Sequence, residues 1–361
     1  MNAIQIELLS ERNNRIIKAV IQKAETVCPG SVALIGIYGS FLTGDIHDKS
    51  DLDLFIVIND DDGWKVATCF ILDDVGHDIY CNSWDYLEKS TQDISPHLSR
   101  ILDSKIVYTA DEASLHRLEK IKAQILDRLE LPLCLEELNQ AKKHLDQATT
   151  AFGRLMLVET LSEARQDQAK LIEAVETTIC LLNKTYFKKS IKRIREELSE
   201  MQRMPADFMH GYDQTVCANS LDALKTSSRN LIRSLHQYVE EITQDLSPNK
   251  AKPTVDALRF SYEEIFSNWR HKMTLAMKTN NIHLALMTLN SCQSFYDDMY
   301  SQFDMPHFDV ISHFDADDLT KSEKHFIKVL ADYLKEYEKV GLSPVSFTTL
   351  EAFENEYLKN S

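Results

Sequence analysis

Glycine and proline are scarce, nine and eight in 361 residues. An all-β chain needs many tight turns, so this scarcity points to long helices. No stretch approaches the roughly 20 apolar residues that cross a bilayer. The opening "MNAIQIELLSERNN" lacks the basic flank and continuous apolar core of a signal peptide. The seven cysteines (Cys28, Cys69, Cys81, Cys134, Cys180, Cys217, Cys292) lie far apart with no C-x-x-C pair, which excludes a spaced thiolate metal motif. Their odd number in a chain of this size reads as reduced thiols in a cytoplasmic protein. Basic residues are also outnumbered, 40 against 56 acidic ones, for a formal net charge of -16. So acidic a surface repels a phosphate backbone, and neither nucleic acid nor membrane is an expected partner. A cationic small molecule is favoured instead.

What is present is an ordinary folded composition, 43% hydrophobic and 27% charged, and it argues against extensive disorder. Ile16, Ile17, Val20, Ile21, Ala24 and Val27 form the stripe of an amphipathic helix, which Pro29-Gly30 stops. "SVALIGIYG" and "DLDLFIVI" read as strands buried on both faces, and Val75 to Cys81 as a third. The intervening "DDDGWKVATCFILDD" is long enough for a helix capped by its leading aspartates. "SKIVYTA", near 104 to 110, reads as a further strand. Beyond Ala110 the periodicity is almost wholly helical, as in the stripe Leu135, Leu138, Ala141, Leu145, Ala148, Phe152 and Leu155. The expected class is α+β. A small mixed sheet occupies residues 1–110 and a helical region 111–361, with a possible internal break near 245–253.

Chemistry concentrates in "YGSFLTGDIHDKSDLDLFIVI", residues 38 to 58. Along a strand, side chains alternate faces, so Asp51 and Asp53 project together while Leu52 and Leu54 face the core. A buried carboxylate requires a partner: an arginine, a backbone cap or a metal. Two carboxylates this close repel unless a cation bridges them, and Mg²⁺ is the hard, oxygen-seeking choice. Gly39 permits close backbone approach, and Ser40 begins a short helix whose free amides can hold an anion. A phosphate cradle beside a paired-carboxylate metal site is what nucleotidyl transfer requires.

The segment resembles the signature of the DNA polymerase β-like nucleotidyltransferase superfamily: an apolar residue, Gly-Ser, a spacer of about ten, then Asp-apolar-Asp-apolar. Gly39, Ser40, Asp51 and Asp53 match it, and Gly44 and Ser50 fall on frequently occupied positions. The resemblance implies that Asp51 and Asp53 ligate Mg²⁺, that the Gly39-Ser40 loop holds the triphosphate, and that a third carboxylate follows on a later strand. Asp78 in "GHDIYC" has that apolar setting. The resemblance covers about residues 35 to 81. With a helical region following, the chain looks nearest the kanamycin-type antibiotic nucleotidyltransferases, and "CLLNKTYFKKSIKRI" resembles a helix end where that broader group keeps a basic residue near phosphate. One departure is Thr43, where the family often has a basic residue; some phosphate contact must then come from elsewhere.

Simpler readings stand beside these. The glycines do not spell G-x-G-x-x-G, and no G-K-[ST] follows for a P-loop. Asp60 to Asp62 read as a helix cap, Lys188, Lys189, Lys192 and Arg193 as a solvated helix face, and Trp269 as core. His47 and His77 flank the motif, but Mg²⁺ prefers oxygen. Asp146 and Glu159 are equal candidates for a general base. The resulting expectation is a Mg²⁺-dependent enzyme moving a nucleoside monophosphate, AMP from ATP, onto a hydroxyl of a small, aminoglycoside-like acceptor. The alternatives are AMP transfer to a protein, or a non-catalytic nucleotide-sensing or partner-binding protein on the same fold.

Overall fold

The computed structural model describes residues 3–189, 191–247 and 249–359. They form two compact units, Met1–Ser247 and Pro248–Ser361, each with a core of its own. In the first, helix α1 (Ala3–Val27) buries Ile17, Val20 and Ala24, the apolar stripe of its sequence. Six strands follow: β1 (Val32–Tyr38), β2 (Asp53–Ile58), β3 (Thr68–Leu72), β4 (Val75–Ile79), β5 (Cys81–Ser83) and β6 (Lys105–Thr109). The main sheet has the order β5-β2-β1-β6. It is mixed, because β1 is antiparallel to β2 and β6 while β2 and β5 run parallel. Strands β3 and β4 make a separate hairpin. Short helices α2 (Ser40–Thr43), α3 (Trp84–Lys89) and α4 (Ser99–Leu102) fill the connections, and α5 (Glu112–Glu130) follows the sheet.

Alternation along the central strands explains why they read as continuously apolar. Ile35, Ile37, Leu54 and Ile56 pack with Ile17 and Val20 of α1. The intervening Leu34, Phe55 and Val57 join Ile101 of α4 and Leu118 and Ile121 of α5 on the other face. Both faces are covered, so neither can afford polar residues.

Two sequence expectations need correction. Residues 60 to 74 hold no α-helix: a 3₁₀ segment, Asp61–Val66, is followed by strand β3. Asp60 does cap that segment, its carboxylate accepting the Asp62 N–H at 3.0 Å. Gly63 must lie against β2, where an added Cβ would stand 2.5 Å from Ile58 Cγ2. The β-branched and aromatic residues Thr68, Phe70 and Ile71 then favour a strand. The expected single strand from Val75 to Cys81 is instead two, β4 pairing with the hairpin and β5 with the main sheet.

The chain beyond is helical, as its periodicity predicts. Helices α6 (Leu135–Leu157), α7 (Leu161–Leu182), α8 (Ile194–Glu200), α9 (Phe208–Val216) and α10 (Leu221–Leu246) complete the first unit. Leu138, Ala141, Leu145, Ala148 and Leu155 of α6 are buried, whereas Leu135 is exposed at the helix start. The second unit comprises α11 (Val255–Leu258), α12 (Ser261–Ile265), a π-helical turn (Phe266–Arg270), α13 (His271–Thr279), α14 (Ile282–Gln302), α15 (Leu319–Lys339) and α16 (Leu350–Lys359). Tyr296, Phe326, Tyr333 and Tyr337 form its aromatic core. Trp269 belongs to that core and donates through Nε1 to Ser291 Oγ at 3.0 Å. Among the described residues, no helix is long and apolar enough to cross a membrane.

Candidate active site

Register decides where the first carboxylate stands. Tyr38, the last residue of β1, pairs with Asp53, the first of β2. Gly39 then turns the chain with φ +73°, and a Cβ there would lie 2.0 Å from Asp53 Oδ2. Only glycine lets the turn rest on the carboxylate at that φ without a clash. The Ser40 N–H donates to Asp53, so the half-buried aspartate has a backbone cap as one partner. Gly39, Ser40 and Asp53 are thus brought together.

Asp51 lies just before β2, held by the turn that precedes it. Ser50 N–H donates to the His47 carbonyl at 2.9 Å, and His47 N–H donates to Ser50 Oγ at 3.0 Å. Arg12 of α1 donates to the Ser50 carbonyl at 2.6 Å, and its charge faces Asp51. Burial and the negative charge of Asp51 push the Asp53 carboxyl up to about 6, against the Ser40 hydrogen bond and the charge of Lys192. Tyr38 is raised by burial and by Asp53 in the same way. The costly charge of Asp53 beside the Asp51 carboxylate fits a hard divalent cation in its donor chemistry.

Asp78 stands elsewhere. It occupies the exposed face of β4, where Cys69 Sγ donates to its carboxylate at 3.1 Å. Its charge is felt at Tyr38 together with those of Asp51 and Asp53. Among the described residues, no three His, Cys, Asp or Glu side chains come close enough to hold a metal. His77, its neighbour, is buried and stacks on Phe70 at 5.0 Å between ring centroids.

Positive charge reaches the carboxylates from a segment remote in sequence. Beyond α7, Tyr186 donates to Asp103 at 2.9 Å and Phe187 N–H to the Pro96 carbonyl at 3.0 Å. The segment is anchored at its root by Lys184, buried with Glu137 at 2.8 Å, which Arg128 also approaches at 3.3 Å. At its far end Arg193 grips Asp45 with two hydrogen bonds, at 2.9 and 3.2 Å. Lys192 comes within electrostatic reach of Asp53 and Asp45, and Lys189 of Asp45. These residues read as a solvated face in the sequence and all are exposed, while Lys192, Lys189 and Arg193 also act on carboxylates beside the Gly-Ser loop. Arg100 of α4, whose charge reaches Tyr38, had no sequence signal at all. Arg12 had none either, because the α1 stripe announces only its apolar face.

The two general-base candidates lie in different settings. Asp146 lines a cleft of about 720 Å³ with His97, His144 and Glu173. Glu159 is in the exposed turn between α6 and α7, its N–H donating to Glu163 at 3.3 Å.

Residues 14–145 match the model of the nucleotidyltransferase domain family. The matched stretch contains Gly39, Ser40, Asp51, Asp53 and Asp78, and it supports nucleotide transfer in general terms. The nucleotidyltransferase domain as matched ends within α6, so the basic segment at 188–193 lies outside it. No curated protein matches the chain. Among solved structures, the chain is similar to a nucleotidyltransferase-like protein from Exiguobacterium sibiricum, with a TM-score of 0.33 and 9% identity over 79% of this chain and 92% of that one. So low a likeness bears no weight on the site.

Proposed function

We propose that this protein transfers a nucleoside monophosphate, AMP from ATP, onto a hydroxyl of a small molecule, releasing pyrophosphate. The observation that carries the reading is the Gly39-Ser40 turn lying on Asp53, with the charge of Asp51 acting on the same carboxylate. Asp51 and Asp53 would hold Mg²⁺. Bound there, it would neutralise the triphosphate and polarise the α-phosphate. The Gly39-Ser40 turn positions the phosphates against the carboxylates. Lys192 and Lys189 supply the positive charge that Thr43 does not. Asp78 is the candidate third carboxylate, on the acceptor side, and Asp146 or Glu159 would accept the hydroxyl proton.

The acidic surface, at net charge -16, favours a cationic acceptor such as an aminoglycoside. The test is incubation with labelled nucleoside triphosphates, Mg²⁺ and a panel of hydroxyl acceptors, following pyrophosphate. ATP-dependent release that chelation and Asp53→Asn both abolish supports the proposal. Release that survives either one overturns it.

A further inference from the structure

A groove of about 890 Å³ runs between α1 and the β3-β4 hairpin. Its apolar walls come from Leu8, Ile16 and Val20 on the helix and from Phe70, Leu72 and Val75 on the hairpin. That volume lies within the range of about 300–1,000 Å³ usual for small-molecule sites. Six charged residues line it, three of each sign, but they are not equivalent. Glu11, Asp48 and Asp73 are all exposed at the rim, where water and salt screen them. Arg12 and Lys23 are half-buried and so act through a less polar medium, with Arg15 exposed on the same helix. Among the described residues, none of the three cations has a salt-bridge partner. Arg12 is faced by Asp51 and Asp73 and hydrogen-bonded to Asn13 Oδ1 and the Ser50 carbonyl, which leaves Arg15 and Lys23 as the cations along the helical wall that can meet an anion.

We infer that this groove binds a small amphipathic anion: a molecule with an apolar ring body and one anionic group held by the cations of α1. The apolar walls take the ring system, and Arg15 and Lys23 take the charge. A polycation would meet those two positive groups and is disfavoured by them. Arg12 also donates to the Ser50 carbonyl, so the groove and the Asp51 turn share one side chain. This site does not depend on the transferase reading, and its test requires no turnover.

Two fluorescent probes with nearly the same ring body separate the contributions: 1-anilinonaphthalene-8-sulfonate, which is anionic, and N-phenyl-1-naphthylamine, which is neutral. The full chain is titrated with each, beside an Arg15→Gln/Lys23→Gln double variant and a Leu72→Asp variant. All three positions are at least partly exposed, and circular dichroism melting checks that each variant keeps the parent's fold. The expected result is saturable one-to-one binding of the sulfonate, at least tenfold tighter than the amine. The double variant should weaken the sulfonate tenfold or more and leave the amine within about twofold. Leu72→Asp should weaken both. Equal affinity for the two probes, or sulfonate binding unchanged in the folded double variant, would overturn the proposal. If Leu72→Asp melts early, the double variant alone decides.

Discussion

At the scale of the residue, the site depends on one missing side chain. Gly39→Ala would place a methyl where Asp53 Oδ2 already stands, at a φ of +73° that alanine rarely adopts. Pyrophosphate release should fall at least a hundredfold, with stability lowered by about 1–3 kcal/mol. Asp53 predicts a pH dependence whose sign is fixed by its environment. Its carboxyl is held up to about 6 in the fold, above its ordinary range, so the folded state retains a proton that the unfolded chain gives up. Its contribution to stability is therefore present below about pH 4 and is lost as the pH rises through about 6. Asp53→Asn should accordingly stabilise the fold at pH 8 by on the order of 1–2 kcal/mol, seen as a higher melting temperature, and not at pH 4. Mg²⁺ should raise it for the parent at pH 8 more than at pH 5, because proton and metal compete for the same oxygens. Equal Mg²⁺ shifts at the two pH values would remove the metal from Asp53. Asp78 is a different case, exposed on the hairpin and touched by Cys69. If it serves the acceptor side, Asp78→Asn should leave ATP affinity within about twofold and lower kcat tenfold or more. Wild-type turnover would make Asp78 a surface residue of β4.

At the scale of the element, the sheet and its flanking helices were legible because their signals are local. The double-sided burial of β1 and β2 shows in an unbroken apolar run, and α6 shows in its spacing. Asp51, Asp53 and the Gly-Ser step could be read from the chain because they belong to one short segment. Of the hairpin, β4 is legible in the sequence and β3 is not, because the aspartates ahead of it imitate a helix start and the strand character of "TCFIL" is short. Lys192 reads as solvated and is exposed, but its electrostatic reach to Asp53 comes from a tertiary approach that no periodicity reports. The segment reaches the site through Tyr186–Asp103 at one end and Arg193–Asp45 at the other. Lys192→Gln should raise the KM for ATP about five- to twentyfold with kcat less affected, as loss of a phosphate-facing charge would. Steady-state kinetics at varied ATP would check this, and an unchanged KM would return Lys192 to the solvent.

At the scale of the whole molecule, the excess of acidic groups acts at long range. If the acceptor is cationic, kcat/KM for it should fall severalfold between low salt and about 0.5 M, because screening shortens the reach of the field. A flat response would indicate a neutral or anionic acceptor. The chain order of the parts has its own consequence for how the protein is made. Strand β6 ends at Thr109 and the domain match ends at residue 145; Arg12 faces Asp51 from α1, yet Lys192, whose charge reaches Asp53, arrives only after them. On the ribosome, the carboxylates therefore emerge after Arg12 but well before Lys192. A nascent chain at that stage carries the two aspartates without Lys192, so on the proposed reading its affinity for a triphosphate would reach full strength only late in synthesis, once Arg193 meets Asp45.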